Sequence, residues 1–192
     1  MTTDQASYAY RPRPFAAETV LTLRPRDILA RRADSETVFP YTDIETIRLF
    51  YAPRGINFSG YRAKIYTRKG KTVAFEDRSH KSLIESERLG DSYRAFIIAL
   101  CTRAEAANRN ILLFAGKSVT LLALAGLLGL AAVLLLGSFA WNAFRTGETS
   151  IGLATGAFTL FFGAWTAGYI YHNRPRRFTA ATIPQDILPP AS

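Results

Sequence analysis

The chain has 192 residues, of which 48% are hydrophobic and 20% are charged, and its formal net charge is +9. Residues 118–171 contain a single Arg and a single Glu, whereas residues 1–117 carry 20 Lys and Arg against 13 Asp and Glu. An apolar stretch of this length excludes a wholly soluble chain and a wholly disordered one. The single Cys excludes an intrachain disulfide scaffold.

The first 17 residues are predicted to form a disordered basic arm. They are polar and include the run Arg11-Pro12-Arg13-Pro14. Because residues 1–14 contain no apolar segment, they do not resemble a cleaved signal peptide. Membrane targeting is therefore assigned to apolar residues further along the chain.

Residues 18–108 are predicted to form a cytoplasmic β domain closed by a helix. Short runs of alternating apolar and polar residues, separated by turn residues, are typical of antiparallel strands. The predicted strands are 19–23, 28–32, 36–39, 44–52, 61–67 and 72–75. Turns are predicted at 24–27, 53–55 and 68–71, the last with Gly70 supplying a positive φ. Successive short strands with local turns predict an antiparallel sheet that curls.

A change of period marks one amphipathic helix after these strands. The apolar residues that fall on one helical stripe are Tyr93, Phe96, Ile97, Leu100, Ala104 and Ala107. The preceding Gly90-Asp91-Ser92 is typical of a helix N-terminus. Cys101 lies on or beside the stripe and is predicted to be a buried or half-buried thiol with no chemical role.

The segment VFPYTDIETIRLFY, residues 38–51, resembles part of the bacterial pleckstrin-homology-like (PH-like) membrane proteins. In that family a short strand leads through a Pro and an Asp-Ile pair into a longer strand. Curled strands followed by one helix, next to a paired membrane span, are similar to the same family. The resemblance, over about residues 18–108, implies an α+β fold with a curled, partly open antiparallel β-barrel and a C-terminal capping helix. It implies no activity.

Two apolar segments are predicted to form a two-helix transmembrane hairpin. A juxtamembrane linker at 109–117 leads to spans at 118–144 and 151–171, which an external loop at 145–150 connects. About 24 helical residues extend over about 36 Å, enough for a hydrocarbon core of roughly 30 Å. The alternative, two buried helices of a soluble domain, is disfavoured because about 140 other residues could not cover helices that are apolar on every face.

The cations beside the spans predict the orientation of the hairpin. Arg145 is the one cation in the connecting loop, whereas six flank the other ends of the spans. These six are Arg103, Arg109, Lys117, Arg174, Arg176 and Arg177. The positive-inside rule then places both termini, including a cytoplasmic tail at 172–192, inside a bacterial cell, with the spans in the inner membrane.

Small residues at four-residue spacing predict where helices approach each other closely. They are Ala125 and Gly129 in the first span, and Gly152, Gly156, Ala164 and Gly168 in the second. Packing of the two spans on each other is the favoured interpretation. A homodimer through these faces is the alternative.

No motif in the sequence predicts catalysis, a cofactor or a metal. The chain has no glycine-rich phosphate loop, and its two His residues, His80 and His172, lack the spacing of metal ligands. Neither span carries Asp, Glu, Arg or His, so no proton or ion relay is predicted within them. The protein is therefore predicted to be non-enzymatic.

Basic residues near two turns are the remaining functional signal. Those predicted to face lipid or a partner are Arg24, Arg26, Arg62, Lys64, Arg68, Lys69 and Lys71. Anionic phospholipid headgroups attract such cations, while positive-inside charge without lipid specificity is the alternative. Nucleic-acid binding is disfavoured because no fold motif supports it.

These observations predict a membrane-anchored interaction module that binds a protein partner, membrane or cytoplasmic, or the anionic inner leaflet of the bilayer. The alternative function is that of an accessory subunit of a membrane transport or envelope complex, recognised through its transmembrane helices. The two differ in which part of the chain carries recognition.

Overall fold

The computed structural model describes residues 6–52, 60–82 and 85–190, so the turn predicted at 53–55 lies outside the described residues. The chain divides into two compact units. Met1–Gly116 and Arg176–Ser192 together form the first unit, which we call the sheet domain, and Lys117–Pro175 forms the second, the helical hairpin. The sheet domain is thus assembled from segments on both sides of the hairpin.

The first sheet of the domain has four antiparallel strands in the order β1-β2-β3-β4. Their bounds are β1 Ser7–Tyr10, β2 Thr19–Leu23, β3 Asp27–Arg32 and β4 Ser35–Pro40. Because apolar and polar residues alternate along these strands, one face of the sheet is buried, with Leu21, Leu23 and Ile28 on it. The predicted strands β2, β3 and β4 are confirmed.

The second sheet has five strands in the order β11-β10-β5-β6-β7, and strands β8 and β9 pair separately. Their bounds are β5 Ile44–Tyr51, β6 Tyr61–Thr67, β7 Thr72–Glu76, β8 Arg78–His80, β9 Ser86–Arg88, β10 Leu112–Ala115 and β11 Arg176–Arg177. Strand β10 runs parallel to β5, and the other neighbouring pairs are antiparallel. Gly70 has φ +74° in the β6–β7 turn, as the sequence predicted.

The described strands do not close into a barrel, and the curled, partly open barrel that the resemblance implied is not confirmed. The described strands form separate sheets of four, five and two strands. Strand β5 pairs with β10 on one side and β6 on the other, so its hydrogen-bonding groups are occupied and cannot continue the first sheet. The α+β class with mostly antiparallel sheets is confirmed.

Helix α1, Gly90–Ala107, follows β9 and buries the predicted stripe against the core except at Ala107, which is exposed. Its buried residues are Tyr93, Phe96, Ile97, Leu100, Cys101 and Ala104. Its N-terminus carries no side-chain cap, so the predicted capping signal at Asp91-Ser92 is not used. At the other end, the Asn108 side chain donates a 2.9 Å hydrogen bond to the Ile44 carbonyl, which joins the end of α1 to the start of β5.

An aromatic cluster around Tyr8 fills the domain core. The Tyr8 ring centroid lies 5.5 Å from that of Phe96 and 5.8 Å from that of Tyr93. The Phe75 ring meets the Phe96 ring edge-on, with their centroids 5.5 Å apart. Such ring pairs add about 0.5–1.5 kcal/mol each beyond the area they bury. Tyr8 belongs to the segment predicted as a disordered arm. The structure instead forms β1 there, because alternation directs Tyr8 and Tyr10 into the core.

Two other segments also differ from their prediction as linker and tail. Residues 109–117 contain β10, in which Leu113 and Ala115 are buried. Residues 172–192 contain β11 and several buried apolar side chains, namely Phe178, Ile183, Ile187 and Leu188. The Arg94 guanidinium donates a 3.1 Å hydrogen bond to the Pro189 carbonyl, which ties this return segment to α1. Each segment is too short for its periodicity to predict an element, and pairing within the domain buries it.

The helical hairpin consists of α2, Val119–Arg145, and α3, Thr149–His172. The two predicted helices and their short connection are confirmed. Gly147 has φ +82° in that connection, a conformation that glycine adopts without strain. Large apolar side chains cover the outer surface of both helices; the exposed fraction is 67% for Leu127 and 77% for Leu160.

The two helices pack on each other through two of the six predicted small residues. A Cβ added to Gly129 would lie 2.6 Å from Thr166 Cγ2, and one added to Gly152 would lie 2.9 Å from the Phe144 ring. These contacts support packing of the two helices on each other, the favoured interpretation. A Cβ at either glycine would force the neighbouring side chain of the other helix to shift, so both glycines favour the close approach.

The other four predicted small residues lie off this close contact. A Cβ at Gly156 or Gly168 meets no described atom within 4 Å, Ala164 is exposed and Ala125 is half-buried. The buried positions of α2 are Leu122, Gly129, Ala140 and Ala143. Leu122 and Gly129 are seven residues apart, a spacing made of steps of three and four. Residues spaced strictly four apart therefore rotate progressively away from the helix–helix contact.

Candidate membrane attachment and interaction surfaces

Both helices of the hairpin are long and apolar enough to cross a membrane. Over 18 residues the mean hydropathy reaches 2.7 in α2 and 1.3 in α3, and 11% of each of these windows is buried. Their 27 and 24 residues correspond to about 40 Å and 36 Å of helix. Unburied apolar surface of this kind is unfavourable in water and is compatible with a membrane hairpin.

The hairpin is inserted between two paired strands of the sheet domain. Strand β10 leads into α2 and β11 follows α3, and the backbone pairs Phe114 with Arg177 and Ala115 with Arg176. Gly116, at the exit from β10, has φ +80° and donates a 2.7 Å hydrogen bond to the Leu49 carbonyl. Both ends of the hairpin therefore leave from the same edge of one sheet.

Cations and aromatic rings meet where the two ends of the hairpin come together. The Lys117 ammonium donates a 2.5 Å hydrogen bond to the Tyr169 hydroxyl and lies 5.0 Å from its ring centroid. The Arg174 guanidinium lies 4.5 Å from the Tyr171 ring centroid, and the Lys117 amide donates to the Asn173 carbonyl at 3.0 Å. This combination of cations and tyrosines is typical of a membrane–water interface.

Five of the seven predicted cations form one group, which we call the turn cluster: Arg24, Arg26, Arg68, Lys69 and Lys71. The short 3₁₀ helix Tyr41–Asp43 brings the two turns together. The Tyr41 amide donates to the Arg26 carbonyl at 3.1 Å, and the Arg68 amide donates to the Asp43 carbonyl at 2.9 Å. Two turns that are distant in the sequence thus contact the same three residues.

Carboxylates neutralise part of the turn cluster. Lys69 Nζ lies 2.9 Å from Asp43 Oδ2, and Arg24 Nε lies 2.6 Å from Asp27 Oδ1. Exposed pairs of this kind contribute about 0–1 kcal/mol to stability. The other three cations, Arg26, Arg68 and Lys71, are exposed and have no carboxylate partner among the described residues. They are the part of the cluster available to an anionic partner.

The remaining two predicted cations, Arg62 and Lys64, lie on the outer face of the five-stranded sheet. Arg62 Nη2 is 3.0 Å from Glu76 Oε2. Lys64 lies directly opposite Arg48 in the backbone register of β5 and β6. Arg48 and Arg177 were not among the predicted site residues. The alternation of apolar and polar residues in β5 could have predicted that Arg48 lies on the outer face of the sheet. Arg177, in contrast, lies in the segment predicted as a tail.

Several ionisable groups are buried in the domain core. Burial raises the pKa of Asp77, an effect that the Tyr61 amide opposes by donating a 3.0 Å hydrogen bond to its carboxylate. Burial also raises the pKa of Tyr8 and of Tyr93, and raises that of the Cys101 thiol to about 12. A thiol with so high a pKa is a poor nucleophile at neutral pH, and Cys101 is the buried thiol that was predicted.

A cavity of about 420 Å³ lies beside β7 and the segment that follows β1. Its ionisable lining residues are Arg13, Arg62, Glu76 and His80. Glu76 Oε2 lies 3.0 Å from Arg62 Nη2, so the arginine compensates its charge within the domain, and His80 Nε2 lies 4.0 Å from Glu76 Oε1. In the part of the chain that the structure describes, no group of three or more His, Cys, Asp or Glu is placed to hold a metal ion.

Comparison of the sequence with models of protein families and with curated proteins finds no match. The resemblance to PH-like domains thus rests on residues 38–51 and on the order of the elements. Residues 38–51 run from β4 through the 3₁₀ helix into β5. Helix α1 follows the antiparallel strands β1–β9 in the chain, and β10 and β11 come after it.

Proposed function

We propose that this chain is a membrane-anchored, non-enzymatic interaction module, in which the helical hairpin crosses a lipid bilayer and holds the sheet domain at its surface. The observation that carries this proposal is the pairing of β10 with β11. Because one sheet contains both strands that flank the hairpin, both ends of the hairpin must lie on the same side of any bilayer it crosses. Two helices of spanning length meet that requirement.

The sheet domain is proposed to be PH-like and to face the cytoplasm from a bacterial inner membrane. The six-to-one bias of cations supports this orientation. Four of the six, Arg103, Arg109, Arg176 and Arg177, belong to the sheet domain itself. The run of antiparallel strands β1–β9 followed by α1 supports the resemblance to the PH-like family.

The partner is proposed to be a membrane or cytoplasmic protein or the anionic inner leaflet. The exposed cations of the turn cluster, Arg26, Arg68 and Lys71, support an anionic surface as the ligand. Each cation held near an anionic leaflet contributes roughly 1 kcal/mol of attraction. Acidic protein surfaces attract the same cations.

The alternative function places recognition in the hairpin, as in an accessory subunit of a transport or envelope complex. The position of Gly156 and Gly168 favours it, since neither glycine is used in the close approach of α2 to α3. Small residues of this kind allow a further transmembrane helix to approach closely. A homodimer would use the same residues.

Reporter insertion tests the topology on which the proposal rests. Alkaline phosphatase placed between Thr146 and Gly147 should be active in a bacterial host, because the connection between α2 and α3 would lie outside. The same enzyme fused after Ser192 should be inactive, because the sheet domain would lie in the cytoplasm. Activity at both sites, or the reverse pattern, would contradict the proposed hairpin.

Affinity purification of the full chain in mild detergent separates the two candidate functions. Replacing α2 and α3 by an unrelated two-helix hairpin keeps the sheet domain at a membrane and removes the native helix surface. Partners that remain with this chimera are bound by the sheet domain, whereas partners that disappear are bound by the helices. Mass spectrometry of both samples identifies which set exists.

A further inference from the structure

The outer face of the five-stranded sheet carries a continuous row of cations and rings. Backbone register pairs Lys64 with Arg48, Arg48 with Phe114, and Phe114 with Arg177. These four side chains therefore follow one another across β6, β5, β10 and β11. Together with the neighbouring Arg62 and Tyr66 they form a surface that we call the basic-aromatic face.

The rings of this face hold its cations in place. The Phe114 ring lies between two guanidiniums, with Arg48 Cζ 4.9 Å and Arg177 Cζ 5.3 Å from its centroid. The Lys64 ammonium lies 4.8 Å from the Tyr66 ring centroid. Contacts within about 6 Å are attractive, and they keep long, flexible side chains extended along the sheet. Cations held in this way lose little conformational freedom when they bind an anion.

The positive charge of this face is largely uncompensated. Arg48 and Lys64 are direct cross-strand neighbours, an arrangement in which like charges repel. Glu76 neutralises Arg62 at 3.0 Å. Within residues 6–52, 60–82 and 85–190, no carboxylate pairs with Arg48, Lys64 or Arg177. An anionic surface laid on this face would relieve the repulsion.

We propose that the basic-aromatic face binds the anionic headgroups of the bilayer that the chain's own hairpin crosses. This deepens, and rests on, the proposed membrane anchoring. Covalent reach favours this bilayer: Phe114 is five residues from Val119, the first residue of α2, so the chain between them spans at most about 18 Å. Arg177 is likewise five residues from His172, the last residue of α3.

Lipid fits this surface better than single-stranded nucleic acid does. Aromatic rings and cations on a sheet can also stack bases and contact phosphates. Here, however, the Phe114 ring lies between guanidiniums on both sides, and Phe114 and Arg177 are each only five residues along the chain from a helix of the hairpin. Rings flanked by cations match the headgroup level of a bilayer.

Fluorescence quenching in the reconstituted full chain tests the proposal. Ala74 is exposed and is the cross-strand neighbour of Lys64, so Ala74→Cys in a Cys101→Ala background places one fluorophore beside the face. Vesicles contain phosphatidylcholine with increasing phosphatidylglycerol and a trace of headgroup-quencher lipid. We expect quenching to increase with phosphatidylglycerol and to decrease with added salt.

Two triple variants with equal charge loss identify the face. Arg48→Gln, Lys64→Gln and Arg177→Gln should reduce the ratio of docked to undocked domain by up to roughly 100-fold, since each well-placed cation contributes about five-fold. Arg31→Gln, Arg32→Gln and Arg88→Gln remove three exposed cations on β3 and β9, outside both the basic-aromatic face and the turn cluster, and should leave quenching nearly unchanged. Circular dichroism should give the same melting temperature for both variants as for the parent.

Three outcomes would overturn the proposal, and all differ from failure of membrane anchoring. They are quenching independent of phosphatidylglycerol, equal loss in both triple variants, and a mixed-sequence single-stranded oligonucleotide that binds through the face while lipid does not. Flotation with vesicles after carbonate washing tests anchoring separately. Protein that floats without quenching refutes the face alone, whereas protein that does not float refutes the anchor.

Discussion

The sheet domain and the helical hairpin are held together by different kinds of contact. In the hairpin, α2 and α3 are neighbours in the chain and meet directly after the connection at Thr146–Glu148. In the sheet domain, Tyr8 meets Phe96, while Ile187 is buried in the same core. The domain thus depends on residues that are up to about 180 positions apart, with the whole hairpin between them.

This difference means that the two units respond to changes in different parts of the chain. The chain carries reporters for each: its single Cys, Cys101, is buried in the sheet domain, and its two Trp, Trp141 and Trp165, lie on α2 and α3. Thiol modification therefore reports opening of the domain, and Trp emission reports the hairpin. The full chain in detergent can be used for both.

The largest effect is expected from a charge in the return segment. Ile187 is fully buried, so Ile187→Asp should destabilise the sheet domain by several kcal/mol, because an unpaired carboxylate would enter the core. Modification of Cys101 should accelerate at least 100-fold. Ala181→Asp, an exposed change in the same segment, is the control. Unchanged Cys101 protection in Ile187→Asp would show that the segment is not part of the domain core.

A smaller effect is expected from a methyl group between the two helices. Gly129→Ala places a Cβ 2.6 Å from Thr166 Cγ2, whereas Gly137→Ala on the same helix meets no described atom within 4 Å. Relative to Gly137→Ala, the Gly129→Ala hairpin should lose about 1–3 kcal/mol from overpacking. Thermal melting followed by Trp emission measures this difference. Equal melting of the two variants would place the helix contact elsewhere, and altered Cys101 protection would show that the units are coupled.

Two tyrosines of the core separate hydrogen bonding from packing. The Tyr8 hydroxyl donates a 2.5 Å hydrogen bond to the Glu76 carbonyl, whereas the Tyr93 hydroxyl is buried with no partner among the described residues. Tyr8→Phe should destabilise the domain by about 1–2 kcal/mol, and Tyr93→Phe should leave stability unchanged or raise it by up to about 1 kcal/mol. Thermal unfolding followed by near-ultraviolet circular dichroism checks both signs. Destabilisation by both changes to the same extent would contradict this assignment.

The smallest effect is expected from mild alkali. Burial raises the pKa of Cys101 from 9.0 to about 12, and it raises the pKa of Tyr8 and Tyr93 above 10.0. The free energy of unfolding keeps its full value below pH 9 and falls above it, because the unfolded chain loses protons that the folded domain retains. The loss from Cys101 should be about 1 kcal/mol at pH 10. Melting temperatures between pH 8 and pH 10 measure it, and Cys101→Ala should be less sensitive to pH; equal sensitivity would contradict a buried thiol.

The comparison also explains how much could be predicted from the sequence. Uninterrupted apolar composition predicts α2 and α3, and alternation predicts β2–β7 and the buried stripe of α1. The strands β10 and β11 could not be predicted, because four- and two-residue segments acquire their structure by pairing with distant strands. Arg62 and Lys64 were predicted as site residues from the sequence, whereas Arg48, Phe114 and Arg177 were not. Their alignment depends on the register of β5, β10 and β11.

The return of residues 176–190 to the sheet domain has a consequence for biosynthesis. A ribosome makes residues 1–116 first, and these lack β11 and the buried side chains of Phe178, Ile183, Ile187 and Leu188. The nascent sheet therefore leaves the edge of β10 unpaired and part of its core uncovered while both helices are being synthesised. Only translation of the segment beyond α3 completes the domain. Folding of the nascent chain is thus coupled to emergence of the helices, and a ribosome that stalls within α3 leaves a product with an open core for proteases to remove.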